Sequence, residues 1–190
     1  MTEFHSGFIA ILGKPNTGKS TLINKLLGQK IAAVSPRPQT TRRRQLGILT
    51  LENAQLVFVD TPGIHAPKHK LGQFLNQEAE EALEGVDIIL FLVDISDKPD
   101  EDDQRIATLI QSLRRKPALM MGLNKTDLVT AEVLEKHREQ YQSLLPQAEV
   151  VSFSATKGQG VDELGKNLEA RLPVREAEFP QDQLPDLYER

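Results

Sequence analysis

The segment Gly13-Lys14-Pro15-Asn16-Thr17-Gly18-Lys19-Ser20 restricts the fold more than any other feature of the chain, because the pattern G-x-x-x-x-G-K-[ST] acquires its chemistry only between a strand and a helix. That context is present. Phe8-Ile9-Ala10-Ile11-Leu12 is a short apolar run suited to a buried strand. After the motif, Leu22, Ile23, Leu26 and Leu27 recur at helical spacing, and Gly28 is placed to stop that helix. The glycines let the loop wrap tightly, so that successive backbone N–H groups point at phosphate oxygens. The helix N-terminus adds partial positive charge. Lys19 is then expected to reach the β- and γ-phosphates and the Ser20 hydroxyl, with Thr21 beside it, to ligate Mg²⁺. The competing reading, a Gly/Pro turn with a surface lysine, does not account for the strand before the motif or the helix after it.

Strand-like and helix-like stretches alternate along the rest of the chain. Leu46 to Leu51 and Leu56 to Val59 read as an antiparallel hairpin joined by Glu52-Asn53-Ala54-Gln55. Ile88 to Val93, Ala118 to Leu123 and Val150 to Phe153 read as further strands. Helical patterns cover 72 to 84, Ile106 to Leu113 and Val161 to Leu172, and Thr130-Ala131-Glu132-Val133 resembles a capping box, with Val133 and Leu134 facing inward. Residues 29 to 45 carry no period and read as a loop. The expected fold is α/β: a P-loop domain with a six-stranded, mostly parallel sheet, one antiparallel strand and five main helices on both faces.

Composition narrows the setting. A net charge of −4 argues against a generic polyanion binder, so a nucleic-acid contact would need a local patch. With no cysteine, disulfides, thiolate metal sites and cysteine nucleophiles are excluded. The N-terminus lacks a signal-peptide pattern, and Val86 to Val93, interrupted by Asp87, is too short to span a bilayer. A cytoplasmic location is expected. Pro173 to Arg190 is proline-rich and charged with few apolar anchors, which places a domain at 1–173 and a linker or tail at 174–190.

Asp60-Thr61-Pro62-Gly63 follows the strand Leu56 to Val59. A carboxylate there can hold the Mg²⁺ shell, and the Gly63 N–H can meet a γ-phosphate. In isolation D-x-P-G is a common turn; behind a phosphate loop it gains meaning. Asn124-Lys125-Thr126-Asp127 selects the base. An ionised Asp127 only accepts hydrogen bonds, and guanine offers two adjacent donors where adenine offers an acceptor and one donor. The Lys125 stem can lie along the base plane. Asn124 can bond the base edge or tie neighbouring loops together. Ser154-Ala155-Thr156 is nearly unspecific, but its position suits a small residue with a free N–H near the guanine O6.

The order of these motifs resembles the translation-factor-like GTPases. With Pro38-Gln39-Thr40-Thr41-Arg42 and Asp60-Thr61-Pro62-Gly63-Ile64, it is similar in particular to the Era-type ribosome-assembly GTPases, from about residue 6 onward. The Der and MnmE groups carry variants of the Gln-Thr-Thr-Arg segment. The resemblance implies that GTP and GDP are the ligands and that GTP is hydrolysed. It implies that Thr41, or Thr40 in its place, is the switch ligand to Mg²⁺, joining Ser20 and, through water, Asp60. It further implies Asn16 as a ligand for K⁺, switch segments at 29–45 and 61–75, and 16S rRNA and the 30S subunit as partners of the full-length family. The resemblance also implies peripheral association with the inner membrane for some family members.

Two departures matter. Ile64 stands where many regulatory GTPases place a water-orienting glutamine, so slow intrinsic turnover is expected, with Lys19, Thr41, Gly63 and Asn16 carrying catalysis. No KH-type G-X-X-G loop follows the last helix, so the chain reads as a GTPase domain alone, and direct RNA binding by it is not expected. The rival readings are a GTP-sensing binding module that docks on a ribosomal precursor with negligible turnover, a Der- or MnmE-like GTPase, and an ATPase with a different base site. Among weaker features, Arg42-Arg43-Arg44 with Arg37 reads as a solvated switch loop, with contact to RNA phosphates or charge supplied to a transition state as the alternatives. Asp97 and the run Asp100 to Asp103 read as solvated loop and helix N-terminus. His65 and His69 lack a helical frame because Pro67 intervenes, and Met120 and Met121 read as core.

Overall fold

The computed structural model describes residues 3–28, 32–33, 45–59, 61 and 81–180. Its strands are β1 (His5–Leu12), β2 (Ala32–Ala33), β3 (Gln45–Thr50), β4 (Ala54–Val59), β5 (Ile88–Asp94), β6 (Ala118–Asn124) and β7 (Glu149–Ser152). The described helices are α1 (Lys19–Gly28), α2 (Glu101–Ser112), α3 (Ala131–Leu144) and α4 (Val161–Glu169). The strands form one sheet in the order β2-β3-β4-β1-β5-β6-β7. The six expected strands and the antiparallel hairpin are present, and the P-loop α/β fold stands. The difference is at the edge, where Ala32–Ala33, inside the expected loop 29–45, adds two residues antiparallel to β3. Two alanines carry too little pattern to announce a strand.

β1 pairs in parallel with β4 on one side and β5 on the other. The chain leaves β1 toward β4 and later returns to β5, so β1 is the point where the winding reverses. In open parallel sheets that point leaves a crevice beyond the carboxyl ends of the strands.

Side-chain alternation divides the core. Ile9, Ile11, Phe58, Leu90 and Leu92 point to one face and pack with Leu22 and Leu26 of α1 and Leu164 and Leu168 of α4. Ala10, Leu12, Val57, Phe91 and Val93 point to the other, against Ile106 and Ile110 of α2 and Tyr141 of α3. Both faces are covered, which is why β5 reads as a continuous apolar run. Each fully buried leucine or phenylalanine contributes roughly 1.5–3 kcal/mol.

Local signals fix the helix starts. Thr130 caps α3 by accepting from the Val133 N–H, but Val133 and Leu134 are only half-buried. The reciprocal capping box lies instead on α2. Asp100 accepts from the N–H groups of Asp102 and Asp103, and the Asp103 carboxylate accepts from the Asp100 N–H. The α4 helix stops at Glu169, short of the expected Leu172. The helix expected over 72–84 lies outside the described residues except for Glu81–Glu84, of which Glu81–Leu83 are helical and Glu84 is in a turn.

Residues 173–180 lie at the end of the sheet away from the carboxyl termini of the parallel strands. The Ser6 N–H donates to the Pro173 carbonyl and the Arg175 N–H to the Phe4 carbonyl. The side-chain amide of Gln55, fully buried on β4, holds Phe179 at both backbone groups: it accepts from the Phe179 N–H and donates to its carbonyl, each at 3.0 Å. The Phe179 ring packs against the core. Residues 181–190 of the expected tail lie outside the described residues.

Candidate functional site

The strand β1 delivers the phosphate-loop motif to the crevice beside β4 and β5. Gly13 has no room for a side chain, since a Cβ would stand 2.3 Å from the Leu92 carbonyl oxygen. Gly18 has φ of 100°, and a Cβ there would stand 2.2 Å from the Asn124 amide nitrogen. Between them, Asn16 takes the left-handed conformation at φ 65°, which asparagine tolerates better than most residues. The buried Thr17 hydroxyl donates to the Lys14 carbonyl at 3.0 Å and pins the loop from inside. Lys19 folds back over the loop, donating to the carbonyls of Gly13 at 2.8 Å and Lys14 at 3.3 Å. Its charge is thereby held within the loop's curl. Pro15, Ser20 and Thr21 are exposed, the last two on the first turn of α1.

The loop after β6 is locked to this one. Asn124, 2% exposed, donates to the Thr17 carbonyl at 2.8 Å and accepts from the Ala155 N–H at 2.9 Å. Of the two roles open to it, the geometry gives the tie between loops. One side chain joins the segments that follow β1, β6 and β7. In the segment 154–156 the Ala155 N–H is donated to Asn124. Ser154 is buried, its hydroxyl accepting from the Lys157 N–H, while Thr156 is exposed. Lys125 is left-handed, at φ 69°, and its ammonium donates to the Asn16 carbonyl at 2.8 Å and to the Asp94 carboxylate. Asp127 lies in the 3₁₀ turn Thr126–Leu128 with its side chain exposed, followed by Leu128 at 63% exposure.

Of the second motif, Thr61 alone is described. It is buried, and its hydroxyl has no hydrogen-bond partner among the described residues. Asp60, Pro62, Gly63, Ile64, Thr40 and Thr41 lie outside the described residues, as do Arg37, Arg42 to Arg44, His65 and His69.

Three acidic residues join the site that sequence patterns do not assign to it. The expectation of a solvated Asp103 is corrected: its side chain has no exposure and lies 2.8 Å from the Lys14 ammonium. Asp100 meets the same ammonium at 2.8 Å. Helix-terminus logic explains why acids stand there but not which cation reaches them. Burial works against the charge of Lys14, yet its bonds to Asp100 and Asp103 prevail and hold it above the ordinary lysine value. Burial pushes the Asp103 carboxyl up, and Lys14 offsets only part of that. For Asp100, more exposed, burial is outweighed and the carboxyl is held below its usual range. The third acid is Asp94. Burial raises it, but Lys125 and Ser96 together hold it below the ordinary value. Its register partner on the next strand is Asn124. Spacing between strand ends was the available clue, and only a known sheet order makes it usable. Tyr141, buried, sets its hydroxyl 3.4 Å from both the Asp94 carbonyl and the Asp103 carboxylate, and burial drives its phenol above the ordinary value.

An oxygen-only donor set of serine, threonine and aspartate suits Mg²⁺ by its hardness, and the exposed Ser20 hydroxyl fits that chemistry. Among the described residues no cluster of three or more acidic or histidine side chains forms a separate metal site, and no helix is long and apolar enough to cross a membrane.

The family model described as a 50S ribosome-binding GTPase matches residues 8–125. Among solved structures, Era in complex with MgGDPNP and nucleotides 1506-1542 of 16S ribosomal RNA is 39% identical with a TM-score of 0.75, covering 97% of this chain and 62% of that one. A single-residue variant of Era from Aquifex aeolicus, bound to GDP.AlF4-, is 38% identical with a TM-score of 0.73 and the same coverage. The FeoB G-domain from Methanococcus jannaschii, 24% identical with a TM-score of 0.61, covers 88% of this chain and 98% of that one, and shares the fold. The chain thus spans 62% of the length of these Era chains.

Proposed function

Since the chain belongs to the 50S ribosome-binding GTPase family, we propose that this GTPase domain is an Era-type nucleotide switch that binds GTP and GDP, hydrolyses GTP slowly, and acts in assembly of the small ribosomal subunit. The observation that carries the reading is Asn124, which fastens the phosphate loop, the base-selecting turn and the segment 154–156 into one crevice. A single ligand with a phosphate chain at one end and a purine at the other spans these parts.

In this reading the backbone N–H groups of 13–18 cradle the phosphates, and Lys19 exchanges its loop carbonyls for phosphate oxygens. Asp127 accepts from the two donors of guanine, and the Lys125 stem lies against the ring. Ser20, Thr41 and Asp60 would hold Mg²⁺, which neutralises charge on the phosphates when bound. Thr40 is the alternative to Thr41, and Asn16 would assist a K⁺ ion. Thr41 and Gly63 contact the γ-phosphate, and its loss releases both switch segments. Ile64 supplies no group to orient water, so turnover is slow until a partner or cation completes the site.

The ribosomal role rests on likeness to Era, whose structure was determined with a 16S rRNA fragment. The chain acts in the cytoplasm in this reading, and direct contact with rRNA is not expected of these residues. The test is titration with GDP, GTP and ATP, followed by single-turnover hydrolysis with 30S or 50S subunits. Guanine preference and a 30S-stimulated rate are expected. ATP displacing labelled GDP efficiently would remove the guanine assignment. Subunit binding without any turnover would leave a sensing module in place of the hydrolase, and stimulation by 50S alone would transfer the role to the large subunit.

A further inference from the structure

We propose that Asp94 is a positioning residue for purine recognition: with the Asn16 carbonyl it fixes the ammonium of Lys125, so that the lysine stem is held on one line from the turn after β6 to the phosphate loop. The inference rests on the guanine-nucleotide reading above. Asn16 and Lys125 are the two non-glycine residues with positive φ among those described, and they touch, the Lys125 ammonium donating to the Asn16 carbonyl at 2.8 Å. A side chain held in that backbone region persists where its surroundings over-determine it. Asp94 supplies the determination. One carboxylate oxygen takes the Lys125 ammonium, and the other accepts from the Ser96 N–H at 3.0 Å and the Ser96 hydroxyl at 2.6 Å. Both oxygens are committed, so the carboxylate cannot rotate without giving up bonds on each side.

The place of Asp94 follows from the sheet. It ends β5 in register with Asn124 on β6, one residue before the lysine it holds. The pair is largely shielded, with side-chain exposures of 29% for Lys125 and 16% for Asp94. Without the carboxylate, the ammonium keeps one carbonyl and is drawn to water, and the stem leaves its line. Asp94 is not expected to meet the nucleotide itself.

The experiment is a double-mutant cycle on GDP dissociation, using a fluorescent GDP analogue and the full chain. Asp94→Asn is expected to accelerate release by roughly tenfold, the worth of one charge-assisted bond. Lys125→Met should accelerate it at least as much, and the double variant should match Lys125→Met alone. Ser96→Ala, a milder change, should accelerate it by roughly two- to threefold and serves if Asp94→Asn does not fold. Effects of Asp94→Asn and Lys125→Met that multiply would overturn the proposal, since Asp94 would then act by another route. Wild-type release rates in the Asp94→Asn and Ser96→Ala variants would overturn it as well, with the guanine reading intact. A wild-type chain that binds no GDP would remove that reading and this one together.

Discussion

The Lys14 ammonium of the phosphate loop lies 2.8 Å from the carboxylate of Asp103, a side chain with no solvent exposure on the first turn of α2. The pair joins the loop before α1 to a helix on the other face of the sheet. Asp103 also returns the capping-box bond to Asp100, so one carboxylate serves a helix end and a loop. Removing it leaves Lys14 leaning on the half-exposed Asp100. Because Lys14 keeps Asp100, Asp103→Ala is expected to lower unfolding free energy by roughly 1–3 kcal/mol, for the lost capping bond and one lost partner of the ammonium. Urea unfolding would measure it, and a loss well under about 1 kcal/mol would mean the pair contributes little.

The pH response of the site has two opposing parts. Asp94 and Asp100 are held below the ordinary 3.8, so their stabilisation is complete above that value and is lost as pH falls through their lower folded values. Asp103 is raised by burial, so its ionisation costs stability as pH rises from the ordinary value through the raised one. Asp94→Asn should therefore flatten the fall of Tm below pH 3.8. Asp103→Asn should reduce whatever loss of Tm accompanies its ionisation above that value. A steeper acid limb in Asp94→Asn would contradict the sign assigned to it.

Gly18→Ala places a Cβ 2.2 Å from the Asn124 amide at a φ of 100°, so the tie between loops and the loop conformation are strained together. Nucleotide affinity should fall by at least about a hundredfold, with Tm lowered as well. Calorimetric titration with GDP measures the first. Near-normal affinity would show that the loop tolerates a different path.

Asp127→Asn is expected to leave Tm within a degree or so of wild type, because the side chain is exposed in a short turn. GDP affinity should drop by about a hundredfold while the preference for guanine over other purine bases weakens, since an amide presents a donor where guanine also presents one. Unchanged selectivity in competition binding would take the base-reading role from this residue.

Much of this could be read from the chain because local and global signals agree. The run before Gly13, the stop at Gly28 and the alternation of strand and helix patterns each follow from short-range rules, and the sheet obeys them. Lys14 and Asp103 show where such rules end. A lysine in a loop and an aspartate at a helix start each have a satisfying local explanation in solvent, and only the pairing of β1 with β5, the strand before α2, brings them together. The bond from the Ala155 N–H to Asn124 is hidden for a related reason, since it joins the segments after two neighbouring strands. Asp94 could have been found by noting that parallel neighbours end at the same level, which requires knowing that β5 and β6 are neighbours.

The grip of Gln55 on Phe179 makes the far end of the domain a matter of length. An amide buried in a sheet is tolerable while both its ends are met, and here the backbone of a residue past the last helix meets them. A shorter version of the chain stopping at Leu172 would keep every strand and helix and still expose that amide's need. It should unfold more readily, by roughly 1–3 kcal/mol, than one that continues through Pro180. A polar side chain near the start of β4 would then decide how far past the last helix the chain must run for full stability.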